Sequence, residues 1–143
     1  MNTVPAEPLP IVKTILLADD DIDDQDFISE AFLNIDNSIA LHAVLHGGNV
    51  LPLLEALPDA SLPQLIVLDY NLPDMNGAEV LHLLNQNSRY ATIPRIVWST
   101  SNSPQYRNHC LELGAAFYLV KPCDIQSIET MARHMLGHCN ATG

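Results

Sequence analysis

The sequence predicts a doubly wound α/β domain, and three observations predict it. Short apolar runs recur five times along the chain, and each gives way to turn-type or acidic residues. Between the runs lie stretches whose apolar residues fall at helical spacing. The first and third runs, Ile15 to Ala18 and Leu65 to Leu68, are continuously apolar and stop abruptly at aspartates, the mark of strands buried on both faces. Strands alternating with helices imply a parallel sheet covered on both sides. With 143 residues, one domain is the expectation, and 48% hydrophobic content is enough for a self-sufficient core.

Residues 1–10 hold three prolines and no periodicity, so they read as a flexible arm preceding a domain over 11–138 and a short tail over 139–143. Ile11 to Ala18 is the first strand, stopping abruptly at aspartates. Asp24 to Asn34, with Phe27, Ile28, Ala31, Phe32 and then Ile35, is an amphipathic helix. Ile39 to Leu45 forms the second strand, broken by Gly47-Gly48. Val50 to Leu57 is a short helix that tolerates Pro52 only in its first turn. After the Pro58–Pro63 turn, Leu65 to Leu68 is the third strand, ending at Asp69.

Ala78 to Leu84 is the next helix, and Pro94 to Trp98 the fourth strand, running into Ser99-Thr100-Ser101. Trp98, alone of its kind, is expected to fill core beneath that strand. Ser103 caps a helix that has Pro104 at its first position and runs to about Leu113, where Gly114 supplies a left-handed stop. Ala116 to Val120 is the fifth strand, leading into Lys121-Pro122. Asp124 caps a last helix carrying Ile125, Ile128, Met131, Ala132, Met135 and Leu136.

Six Lys and Arg against seventeen Asp and Glu leave a net charge of −11. That balance opposes nucleic-acid binding, which rests on clustered cations, and a polybasic membrane role. No apolar run approaches the roughly 20 residues of a spanning helix, and no secretory signal is visible. Three scattered cysteines suggest neither a disulfide framework nor a CxxC metal site. The expectation is a soluble, cytoplasmic domain.

In sheets of this kind ligands bind at the carboxyl ends of the strands. The ends here carry Asp19 and Asp20, then Asp69, then Ser99 and Thr100, then Lys121. Clustered carboxylates repel one another and call for a cation, and hard oxygen ligands select Mg²⁺ or a similar ion. A hydroxyl and an ammonium facing that ion complete a site for a phosphoryl group.

These segments resemble the response-regulator receiver domains. Leu65 to Gly77 looks like their phosphoacceptor segment, and Ile15 to Asp21 like their first strand with its acidic pair. Ile93 to Thr100 resembles the strand that ends in a hydroxyl residue, and Gly114 to Pro122 the strand that ends in Lys-Pro. The likeness runs from about Thr14 to Leu136 and is nearest to stand-alone, chemotaxis-like receivers. It implies a flavodoxin-like sheet of strand order 2-1-3-4-5. It also implies that Asp69 takes a phosphoryl group from a phosphohistidine on a sensor histidine kinase or phosphotransfer protein.

By the same resemblance Asp19, Asp20, Asp69 and the Asn71 carbonyl hold Mg²⁺, Lys121 pairs with phosphoryl oxygens, and Ser99 bonds to one of them. Tyr118 falls where the family places a switch aromatic. Transfer and slow aspartyl-phosphate hydrolysis would be self-catalysed, in a signalling switch rather than a turnover enzyme. The signal would leave by protein contact on the fourth helix, fifth strand and fifth helix.

Ser99 replaces the more usual threonine, Thr100 stands where a small residue is frequent, and Cys123 where an aromatic is frequent. Three consecutive aspartates leave open which two face the metal, and the pair directly after the strand, Asp19 and Asp20, is preferred over Asp21.

Other readings compete. An EF-hand loop beginning at Asp19 needs a glycine where Asp24 stands, and a helix rather than a strand before it. A phosphatase with an aspartate nucleophile needs a late acidic pair, yet Asp124 and Glu129 are well apart. His134, His138 and Cys139 have spacing that could bind Zn²⁺, but read as an exposed helix end without a fourth ligand. The alternative from another class is a receiver-fold module that docks partners without phosphorylation.

Overall fold

Leu65-Ile66-Val67-Leu68-Asp69 forms a central strand because all five residues are buried and nearly all are apolar, leaving no face for solvent. Around it the computed structural model, which describes residues 14–138, builds a five-stranded parallel sheet. The strands are β1 (Thr14–Ala18), β2 (Ala40–Val44), β3 (Leu65–Asp69), β4 (Arg95–Ser99) and β5 (Phe117–Val120), in the order β2-β1-β3-β4-β5. The helices are α1 (Ile22–Ile35), α2 (Val50–Ala56), α3 (Gly77–Asn85), α4 (Pro104–Glu112) and α5 (Ile125–Leu136). The reversal of strand order between β1 and β3 opens the crevice where such sheets bind ligands.

Side chains alternate across each strand and divide the core in two. Leu16, Ala18, Ile66, Leu68, Val97 and Tyr118 pack with α2, α3 and α4 through Leu54, Leu81, Leu84 and Cys110. Ile15, Leu17, Leu65, Val67, Ile96 and Trp98 pack on the other face with α1 and α5 through Ile28, Phe32, Ala132 and Met135. Trp98 is 1% exposed and fills core as expected. Pro52 stands in the first turn of α2, and Gly114 takes φ +95, a conformation that costs L side chains roughly 1–2 kcal/mol.

The helix ends show where spacing misleads. α1 begins at Ile22, before the first periodic residue, because Asp21 accepts the amides of Asp23 and Asp24 as its N-cap. Phe27, counted on the inward face, is 46% exposed, at the edge of a stripe centred on Ile28, Ala31 and Phe32. Likewise Ile125 is 73% exposed at the first position of α5. α3 starts at Gly77 behind a capping box of Asn76 and Glu79. Among the histidines, His134 and His138 pack edge-on against Phe117 at 4.7 and 4.4 Å. The arm over 1–10, the start of the first strand over 11–13 and the tail with Cys139 lie outside the described residues.

Candidate functional site

Parallel pairing brings four strand ends to one edge. Asp19 follows β1 and is fully buried, Asp69 closes β3 at 2% exposure, and Ser99 closes β4 fully buried. Lys121 follows β5, its backbone N–H donating to the Ser99 carbonyl at 2.7 Å. Its ammonium stands 2.9 Å from Asp19, 2.9 Å from Asp24 and 3.1 Å from Asp69. Carboxylate oxygens of Asp19, Asp20 and Asp69 lie within 4.8 Å of one another. Asp21 is committed elsewhere, as the α1 cap.

Three carboxylates pair with the one ammonium and Asp20 adds a fourth beside Asp19 and Asp69, leaving an excess of negative charge. Burial pushes the Asp19 carboxyl up to about 7; the Asp21 amide and Lys121 pull it back, and the Asp69 charge adds to the rise. Burial pulls the Lys121 ammonium down, but the adjacent carboxylates of Asp24, Asp19 and Asp69 outweigh it, so its pKa ends above the ordinary lysine value. Asp19 Oδ2 is buried and accepts no directed hydrogen bond, although Lys121 lies close enough for ion pairing. A poorly satisfied buried oxygen inside an acidic cluster fits a divalent cation held by oxygen ligands.

Asp69 Oδ1 accepts the Asn71 N–H at 3.0 Å, and the Asn71 side chain donates to Ser99 Oγ at 3.3 Å. Tyr118 sits apart from the acidic edge, 3% exposed, its hydroxyl donating to the Ser101 carbonyl at 2.8 Å with Arg107 over its ring. Thr100 and Cys123 are both exposed.

Sequence reasoning missed three residues that build this edge. Asp24 shares the Lys121 ammonium, and its place in an aspartate run hid it among residues suited to a helix start. Gln25 is buried and donates from Nε2 to the carbonyls of Asp19 and Val44, tying the ends of β1 and β2. Its signal was present: Gln25 lies one turn before Ile28, a polar side chain on the buried face. Asp74 accepts the amides of Gly47 and Gly48, each at 2.9 Å, clasping the loop after β3 to the turn before α2. Gly77 is needed there for space, since a Cβ would meet the Asp69 carbonyl at 3.0 Å and the Tyr70 Cα at 3.1 Å.

An acidic edge at the switch point of a 2-1-3-4-5 sheet, with a lysine after the fifth strand, defines a receiver domain. The chain belongs to the response regulator receiver domain family, whose family model matches residues 15–133. It is 31% identical over 122 residues to the two-component response regulator ORR5 of Oryza sativa subsp. japonica, spanning 85% of this chain and 87% of that one. The phosphorylated cyanobacterial phytochrome response regulator RcpA superposes with a TM-score of 0.82 at 28% identity, over 92% of this chain and 96% of that one. The Mn²⁺-bound form of the response regulator Rcp1 gives 0.76 at 28% identity, over 85% and 90%. Membership makes this a domain of phosphorylation-based two-component signalling, a switch by class. No helix among the described residues is long and apolar enough to cross a membrane.

Proposed function

We propose that Asp69 accepts a phosphoryl group from a phosphohistidine on a sensor histidine kinase or phosphotransfer protein, in a Mg²⁺-dependent reaction. The observation that carries this reading is the convergence of Asp19, Asp20, Asp69 and Lys121 at one sheet edge. An oxygen of the Asp69 carboxylate attacks phosphorus as the phosphorus–nitrogen bond breaks, and the imidazole leaves with the bonding pair and is protonated. Lys121 neutralises phosphoryl oxygens, and Ser99 donates its hydroxyl proton to one of them. Asp19, Asp20, Asp69 and the Asn71 carbonyl hold the cation, which supplies charge neutralisation of the phosphoryl oxygens. That a relative, the response regulator Rcp1, has a Mn²⁺-bound form supports a divalent ion for this domain.

Slow hydrolysis of the aspartyl phosphate returns the domain to rest. Phosphorylation draws Ser99 inward and alters Tyr118 and the face made of α4, β5 and α5, which passes the signal by protein contact. The net charge of −11 supports a protein target over nucleic acid. As for organisation, the receiver spans residues 11–138, between an arm and a tail, and works in the cytoplasm.

The test is incubation with acetyl phosphate and Mg²⁺ followed by intact mass, with Asp69→Asn and a chelator control alongside. One added phosphoryl mass in the wild type alone, lost on chelation, is expected. An unmodified wild type with donor and metal in excess overturns the reading in favour of a module that docks without phosphorylation.

A further inference from the structure

Between β4 and α4 the chain bears serines at alternate positions, and each holds an amide further along. Ser101 N–H donates to Ser99 Oγ at 3.0 Å, Ser103 N–H to Ser101 Oγ at 3.2 Å, and Tyr106 N–H to Ser103 Oγ at 3.3 Å. The Tyr106 ring then stacks on Tyr70, with centroids 4.3 Å apart and planes at 17°. Tyr70 directly follows Asp69 and has little backbone freedom: its N–H donates to the Trp98 carbonyl at 3.1 Å and its own carbonyl accepts from Gly77 at 2.9 Å. The series begins at the Ser99 hydroxyl and ends on Tyr70, the residue after Asp69, whose N–H returns to the Trp98 carbonyl before Ser99, so it closes a circuit through the backbone beside the acceptor.

This circuit has a consequence for the Ser99 hydroxyl, which owns two lone pairs and one proton. Its oxygen accepts from the Ser101 N–H and from the Asn71 side chain at 3.3 Å. With both lone pairs engaged, the proton is what the group retains to give. Serine lacks the β-branch that restricts threonine, and a free serine hydroxyl readily turns to bond nearby backbone instead. The serine series supplies from outside the restraint that the side chain lacks.

We infer that Ser101 and Tyr106 are positioning residues that keep the Ser99 hydroxyl a donor toward the phosphoryl group, with the Tyr70–Tyr106 stack as the anchor. The inference rests on the reading of Asp69 as phosphoacceptor. Ser101 is the junction, since its amide reaches Ser99, its hydroxyl holds Ser103 and its carbonyl receives the Tyr118 hydroxyl at 2.8 Å. An aromatic pair contributes enough beyond its buried area to change an equilibrium or rate about 2- to 10-fold.

The test uses the full chain with Tyr106→Ala, Tyr106→Phe and Ser101→Ala. Amide hydrogen exchange over 99–106 in the unphosphorylated protein should quicken about 2- to 10-fold in Tyr106→Ala and stay at the wild-type rate in Tyr106→Phe, which keeps the ring. Phosphoryl uptake from acetyl phosphate should slow about 2- to 10-fold in Tyr106→Ala and Ser101→Ala, with Tyr106→Phe matching wild type. Unchanged exchange in Tyr106→Ala overturns the anchor, whatever the phosphorylation result. Faster exchange with unchanged uptake overturns the positioning role while leaving Asp69 as acceptor. A wild type that takes up no phosphoryl group overturns the Asp69 reading and the positioning role together, and exchange still decides the anchor.

Discussion

Asp69→Asn should stabilise the metal-free protein. Carboxylate oxygens of Asp19 and Asp20 lie within 4.8 Å of one on Asp69, so each pair of charges costs about 3.5 kcal/mol at an effective dielectric near 20. Against the two repulsions stands one attraction, to the Lys121 ammonium at 3.1 Å, worth about 5 kcal/mol on the same basis. An asparagine oxygen can still accept the Asn71 amide bonded to Asp69 Oδ1, so that contact cancels. The balance favours the variant by about 1–2 kcal/mol. Urea unfolding at pH 8 in chelator, where Asp19 is largely ionised, should give the variant the higher midpoint. Saturating Mg²⁺ should then raise the wild type by about 2.7 kcal/mol at one hundred times its dissociation constant, and raise the variant less. A variant more than about 1 kcal/mol less stable than wild type in chelator would refute the charge argument, as would equal gains from Mg²⁺ in both proteins.

Three further outcomes follow from the same edge. Gly77→Ala puts a methyl 3.0 Å from the Asp69 carbonyl and 3.1 Å from the Tyr70 Cα, both backbone, so urea unfolding should show a loss of about 1–3 kcal/mol. Gln25→Leu leaves the Asp19 and Val44 carbonyls without their shared donor, and should cost about 1–3 kcal/mol by the same measurement. In Asp74, burial tends to raise the pKa, but amide donors at Gly48 and Gly47 outweigh it and hold the carboxyl below its ordinary value. A depressed folded-state pKa gives stability present above the unfolded value and lost as pH falls through the folded one. Asp74→Asn should therefore be less stable than wild type at neutral pH, with the gap closing as pH drops below about 4. A constant gap would show that the clasp does not depend on charge.

Much of the fold was readable because apolar runs buried on both faces leave a plain trace. Leu65 to Leu68 could be little else than a central strand, and Ser103-Pro104 and Asp124 marked their helix starts by local capping chemistry. Where reading failed, the competing interaction was short-ranged yet not periodic. Asp21 capping Asp23 and Asp24 moved the start of α1, and the Asn76–Glu79 box moved that of α3. Phe27 and Ile125 fit helical spacing while standing exposed, since spacing marks a stripe but not its edges.

The chain by itself determined the alternation of strands and helices and the set of polar residues at the strand ends. Burial and turn chemistry act on neighbours, so both are written in local order. Only the tertiary structure decided which of these residues meet. Lys121 reaches Asp24, 97 positions earlier, and Asp74 closes on Gly47 and Gly48 across 27 and 26 positions. It also decided that Asp19, Asp20 and Asp69 crowd together, that one ammonium pairs with Asp19 and Asp69, and that Tyr106 lies on Tyr70. Such pairings depend on strand order and on the depth to which packing buries each charge. Neither leaves a periodic mark, because distances across a sheet are set by its neighbours in space and not by position along the chain.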